Sequence, residues 1–153
     1  MAHADFRHRL PVRVRWAEVD RQGVVFNAHY LLYADVCVTE YWRAIGMRYP
    51  EDFDPLASDL YVRKAMVDYR APVMYDDELD VGGRIARIGT SSLQFNVEMF
   101  RRARPDALLA AVDLVYVYVD AASKTPRRVD EALRARIRAF ELKAPDEATA
   151  AAR

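Results

Sequence analysis

The chain is short of several things, and each shortage removes a class of protein. Its 153 residues include one cysteine, Cys37. No intrachain disulfide can form, and a reducing compartment suits the chain. No apolar run approaches the roughly eighteen residues that a membrane-spanning helix needs. The opening Met1-Ala-His-Ala-Asp-Phe-Arg-His-Arg has no apolar signal core. Neither sign of charge is in excess, with 23 Lys+Arg against 23 Asp+Glu, so nothing suggests a bulk binder of nucleic acid or of membrane surfaces. There is no Gly-rich phosphate loop. No His, Cys, Asp and Glu side chains have metal-ligand spacing, so no metal is expected. No internal repeat is visible.

What is present suits a soluble cytoplasmic protein of one domain, spanning residues 1–143. Hydrophobic residues make up 52% of the chain, enough for a sizeable core. The tail 144–153 is rich in Ala, Asp, Glu and Thr and is expected to be disordered.

The elements follow from hydrophobic periodicity. Apolar and basic residues alternate through Val12-Arg-Val14-Arg-Trp16, so residues 6–16 read as a half-buried strand. The polar stretch 17–23 is a loop with Gly23 as its turn residue. From Asn27, a good N-cap type, the period becomes helical as far as Gly46. His29, Asp35, Thr39, Glu40 and Arg43 fall within an arc of roughly 140°. The wider remaining face carries Tyr30, Leu31, Ala34, Cys37, Val38, Tyr41, Trp42 and Ile45, which suits a helix clasped by a curved sheet.

Strands are expected over 60–70, 78–88, 93–102 and 107–119. The apolar parity changes within the first of these, which predicts a bulge near Arg63-Lys64. The last is apolar on both parities, and one helix can cover only one face, so a second copy of the chain is expected on the other. A short helix ends near Leu142. The order gives an α+β fold: one antiparallel sheet around one buried helix.

The stretch Trp16-Ala-Glu-Val-Asp20-Arg-Gln-Gly23-Val-Val-Phe-Asn27-Ala-His-Tyr30, with Tyr33 and Asp35 beyond it, resembles the 4-hydroxybenzoyl-CoA thioesterase family. Val67-Asp-Tyr-Arg-Ala-Pro72-Val-Met-Tyr-Asp-Asp77-Glu-Leu and Gly89-Thr-Ser-Ser92-Leu-Gln-Phe are similar to two further blocks of that family, in the same order. The resemblance covers roughly residues 10–140. It implies the hotdog fold, a five-stranded antiparallel sheet wrapped around one long central helix. It also implies a homo-oligomer, a dimer or a tetramer, with active sites at the dimer interface. The implied substrate is an acyl-CoA or an acyl-carrier-protein thioester. Coenzyme A is then part of the substrate, and no separate cofactor is called for.

By the same resemblance Asp20 is the catalytic acid, and the backbone N–H of Asn27 polarises the thioester carbonyl. Gly23 permits the tight turn between them. Phe26, Tyr30, Asp35, Ser91 and Ser92 are candidate substrate-binding residues, the serines approaching from a partner subunit. Some members carry Tyr or His at the Asn27 position, or His at the Phe26 position, so acyl preference differs here. Thiolate leaves readily, so one carboxylate suffices, either attacking directly or activating a water. The sequence leaves both open.

Competing readings are plainer. Asp20, Ser91 and Ser92 also suit turns, and Asp35 suits a solvated or interface-paired acid. Glu18 reads as a surface acid, His29 as a residue of the helix's polar stripe, and Cys37 as core. Arg101, Arg102 and Arg104 form a basic cluster at a strand end, suited to phosphate or to solvent. An enoyl-CoA hydratase is an alternative enzyme, but the Asp-x-Asn-Pro-x-His block of such proteins is absent. A non-catalytic acyl-CoA-binding protein is the other alternative.

Overall fold

The structure, a computed structural model, describes residues 1–147. Its elements are β1 (His8–Arg13), α1 (Asn27–Ala44), β2 (Ser58–Tyr69), β3 (Glu78–Ile88), β4 (Ser92–Arg101), β5 (Arg104–Asp120), α2 (Glu131–Phe140) and β6 (Asp146–Glu147). The five long strands are antiparallel neighbours in the order β1-β3-β4-β5-β2. They curve around α1. The sheet has a sixth member that the sequence reading did not anticipate: β6 pairs parallel with β3. Residues 146–147 of the expected tail therefore have a partner, and the rest of that tail, 148–153, lies outside the described residues.

The core forms where the inward parity of the sheet meets α1. Leu79, Val81 and Ile85 of β3, Leu93, Phe95, Val97 and Met99 of β4, and Val112, Leu114, Tyr116 and Tyr118 of β5 are buried. They meet Tyr30, Tyr33, Ala34, Cys37, Val38, Tyr41 and Trp42 of the helix. Each large apolar side chain buried in this way contributes on the order of 1.5–3 kcal/mol. Tyr41 is the hub, with the rings of Phe95, Phe140 and Trp42 edge-on at 5.2, 5.4 and 5.7 Å. Its hydroxyl donates to buried Glu141 at 2.7 Å. Helix and sheet meet closely at Gly83, where an added Cβ would lie 2.7 Å from the Cys37 sulfur. Burial pushes the Cys37 thiol up to about 12, so this residue is inert core.

Several local expectations are corrected. β1 stops at Arg13, and Trp16–Glu18 form a 3-10 turn instead of continuing the strand. Phe26 caps α1 and Asn27 is its first helical residue, so Asn27 is not the N-cap. Leu31, assigned to the buried face, is exposed, as are Leu32 and Val36. The predicted bulge is present, as a register slip between Val62 and Lys64. On β5 the second parity, Ala111, Asp113, Val115 and Val117, is only half-buried. β2 is a sheet edge, pairing only with β5 among the described residues, and Tyr61, Val62, Met66 and Tyr69 along it are exposed.

His8 is buried behind α1, with Nε2 donating to the Cys37 carbonyl at 3.1 Å. Burial pulls its pKa down, more than the Cys37 carbonyl and the Glu40 charge restore it. The unfolded imidazole titrates near its ordinary value of about 6.5. The unfolded chain therefore takes up a proton that the folded chain resists. This contribution is complete above about pH 6.5 and is lost as pH falls through the folded value. Urea midpoints measured from pH 7.5 down to 5 are expected to fall, and His8→Gln is expected to flatten that slope.

Candidate active site

The site is assembled by a hairpin that delivers the chain into α1. Val19 and Val25 face each other across it. Asp20 N–H donates to Val24 O at 2.8 Å, and Gly23 N–H donates to Asp20 O at 2.9 Å. Gly23 has φ +76°, a left-handed conformation that costs glycine nothing and closes the hairpin. Asp20 Oδ1 also accepts the Gln22 N–H at 2.7 Å. The carboxylate is thus oriented by its own turn and is exposed.

Two outside contacts fix the hairpin. Val25 N–H donates to Val73 O at 2.8 Å, and Phe26 N–H donates to Glu18 O at 2.9 Å. Glu18 was read as a surface acid. It is instead only 3% exposed, held by the Arg15 backbone N–H and Nε, each at 2.8 Å, and by the Tyr33 hydroxyl at 2.7 Å. Burial alone would raise its pKa, but the hydrogen bonds from Arg15 and Tyr33 bring it below the usual range. Glu18 is an ionised strut joining the turn, the helix and the hairpin, and it lines a different cleft, with Arg15, Leu32 and Tyr33. Sequence reading missed it because both partners become visible only in three dimensions.

At the start of α1 lies a cleft of about 320 Å³, walled by Val24, Val25, Asn27, Tyr30, Tyr69 and Ala71. The Asn27 N–H opens the helix, where no preceding turn can accept it, and among the described residues it has no acceptor. The positive end of the helix dipole adds to it. Tyr69, on the inward parity of β2, donates its hydroxyl to Asn27 O at 3.1 Å and meets the Tyr30 ring edge-on at 4.9 Å. Tyr69 was absent from the candidates, although its alternation with Val67 beyond the bulge marked its inward face. Burial raises the Tyr30 pKa, against a hydrogen bond with the Val73 backbone that lowers it.

The structure brings Asn27 and Tyr30 together in this cleft; Asp20, Gly23 and Phe26 lie on the hairpin that leads into it and are not among its lining residues. Phe26 is exposed, its ring 6.3 Å from that of His29. Asp35 lies elsewhere. It lines a second cleft of about 180 Å³ with Val38, Thr39, Trp42, Tyr49 and Tyr116. Eight residues along α1 separate it from Asn27, roughly 12 Å. Burial first, then the Asp35 charge, pushes the Tyr116 hydroxyl up to about 12.

Ser91 and Ser92 are not part of this protomer's cleft. Ser92 pairs with Val117 on β5, while Tyr69 pairs with Ala110, and that seven-residue offset is roughly 23 Å of strand. Their turn is braced by fully buried Arg134, which donates to the Gly89 carbonyl and to Thr90 O at 3.3 Å. Among the described residues, no group of three His, Cys, Asp or Glu is placed to hold a metal, and no helix is long and apolar enough to cross a membrane.

A free N–H at a helix start, a cleft before it and an oriented carboxylate alongside form an arrangement able to stabilise an oxyanion next to a base. Comparison with known proteins points the same way. A family model described as "Thioesterase superfamily" matches residues 22–107, beginning two residues after Asp20. The chain is 28% identical over 125 residues to an Escherichia coli protein named acyl-CoA thioester hydrolase YbgC, covering 82% of this chain and 91% of that protein. Among solved structures, the PA5185 protein of Pseudomonas aeruginosa superposes with a TM-score of 0.78 at 27% identity, covering 93% of this chain and 96% of the other. A Thermus thermophilus thioesterase complexed with coenzyme A and Zn gives 0.76 at 29% identity, covering 91% and 97%.

Proposed function

The chain belongs to the Thioesterase superfamily and is a thioester hydrolase, and from that premise we propose that it hydrolyses an acyl-CoA to a carboxylic acid and free coenzyme A. One observation carries the reading to these residues: Asn27, whose N–H has no acceptor among the described residues, lines a cleft into which the hairpin carrying the oriented Asp20 carboxylate leads. The substrate class is supported by the name of the Escherichia coli relative and by the coenzyme A in the Thermus structure.

In the proposed reaction the carbonyl oxygen of the thioester accepts the Asn27 N–H. Asp20 takes a proton from water as the water oxygen attacks, or attacks the carbonyl carbon itself to give a mixed anhydride that water then hydrolyses to the acid, freeing Asp20. The C–S bond breaks, and the thiolate leaves to be protonated. Negative charge builds on the carbonyl oxygen in either route, and the fixed N–H and helix dipole stabilise it there. Phe26 and Tyr30 border the acyl group near its carbonyl, and Asp35 borders its far end. Two copies of the chain complete the site: the unpaired edge of β2 supports a sheet-to-sheet dimer, and the remote serines reach a cleft only from a second copy. Pairing of such dimers gives the homotetramer.

Thiol release measured across short, long, branched and aryl esters of coenzyme A, and the same esters of an acyl carrier protein, tests the reading. At least one class should release free thiol. Loss of enoyl absorbance without thiol release would replace it with a hydratase, and binding without either would replace it with a carrier or scaffold.

A further inference from the structure

A second cleft, of about 310 Å³, adjoins the one at the helix start. It is walled by Ala71, Pro72, Met74, Arg101, Arg104 and Leu109. Ala71 and Pro72, in the bend after β2, line both clefts. Its floor is apolar and its rim is cationic.

The two arginines differ in a useful way. Arg101 is held: one terminal nitrogen donates to Asp77 at 2.8 Å and to Pro72 O at 3.4 Å. Its Nε is buried and has no acceptor among the described residues. Arg104 faces it across the β4–β5 turn, the two being paired in register. Arg104 is exposed and makes no ion pair among the described residues. Arg102, between them in sequence, points elsewhere, 3.8 Å from Asp80. Asp77 therefore offsets the charge of Arg101, and the charge of Arg104 is left over at the cleft.

We propose that this cleft is the phosphate site of the enzyme, with Arg101 and Arg104 gripping a phosphate of the thioester's carrier. The proposal rests on the thioesterase reading above and adds to it the residues that recognise the carrier. Planar guanidinium forks match phosphate oxygens two at a time, and the apolar floor accommodates the uncharged arm between phosphate and sulfur. The shared chemistry is a phosphate ester on a pantetheine arm, which coenzyme A and the prosthetic group of an acyl carrier protein both supply.

The test compares wild type with Arg104→Glu and with Arg102→Glu as the control, on one acyl group carried by coenzyme A and by pantetheine. Arg104→Glu is expected to raise KM for the CoA ester about tenfold or more relative to KM for the pantetheine ester, the cost of losing a charge-assisted contact. Arg102→Glu should leave that ratio unchanged. An unchanged ratio in Arg104→Glu, whether both KM values rise together or neither moves, overturns the proposal. Calorimetry with free coenzyme A gives a readout that needs no turnover. CoA binding that is present in wild type and lost in Arg104→Glu upholds the phosphate site even where no thiol is released, in which case only the hydrolytic reading falls. Binding of 4′-phosphopantetheine then separates the sources. Equal weakening by Arg104→Glu assigns the contact to the phosphate common to both carriers, and weakening of coenzyme A alone assigns it to the nucleotide phosphates.

Discussion

Asp20→Asn is expected to lower kcat by about 10²- to 10⁴-fold, the usual worth of a positioned general base. The substitution is a clean one here. The Asn side-chain oxygen can still accept the Gln22 N–H that Asp20 Oδ1 accepts at 2.7 Å, so the hairpin keeps its turn. Glu18, Tyr33 and Arg15 anchor the hairpin independently of position 20. What disappears is the negative charge and the proton acceptor beside the cleft. Because Asn27 N–H is untouched, KM should change far less than kcat, the pattern of an interaction made chiefly in the transition state. Thiol release at saturating substrate, with circular dichroism and solution mass as controls, provides the measurement. Turnover within a few-fold of wild type would remove Asp20 from the mechanism. An Asp20→Ala variant should lose activity similarly, together with some hairpin order, since the turn bond goes with the carboxylate.

The second large effect concerns the β2 edge. Met66 is half exposed there and stands opposite Asp113 in the register. In a lone protomer, Met66→Lys sets an ammonium next to that acid, which a sheet tolerates well. In an edge-to-edge dimer the same ammonium, two residues from Lys64 on the same face of β2, would sit at the seam and lose part of its water. Desolvating an unpaired charge costs several kcal/mol, so the dissociation constant should rise by about 10²-fold or more. Sedimentation or light scattering over a dilution series would read this directly, while the urea midpoint of the separated protomer should barely move. Turnover should fall with the dimer fraction. A dissociated variant with undiminished turnover per chain would show that each copy holds a complete site. An unchanged mass would show that the edge is not the seam.

Much of this architecture was legible because it depends on periodicity. The clean alternation of β3 and β4 declared their inward residues, and the parity change in β2 declared its bulge. The helix start was legible from the switch of period after Gly23. What escaped depends on partners distant in the chain. Glu18 looks like any acid in a polar loop until Arg15 curls back and Tyr33 comes down from the helix to bind it. Leu31 is placed on the buried face by its period, but it is exposed, as are Leu32 and Val36, which stand next to Leu10 and Val12 of β1. The β6 pairing is two residues long, too short for any periodic signal. Of the candidate site, the Gly23 turn and the helix start at Asn27 came from local pattern, while the roles of Asp20 and the Asn27 N–H came from the family resemblance. Tyr69 and the arginine cleft needed β2, the 70–74 segment and the β4–β5 turn to be folded against one another.

The slip between Val62 and Lys64 has one more consequence. Arg63 belongs to neither half of β2, so it works as a phase adjuster between two independently set rows. The row before it presents Val62 to the Asp35 cleft, and the row after it presents Tyr69 to the helix start. A regular strand of the same length would have had to give up one of these two alignments. The spare residue lets the rows that face the two clefts be set separately, so a substitution in one row need not disturb the alignment of the other.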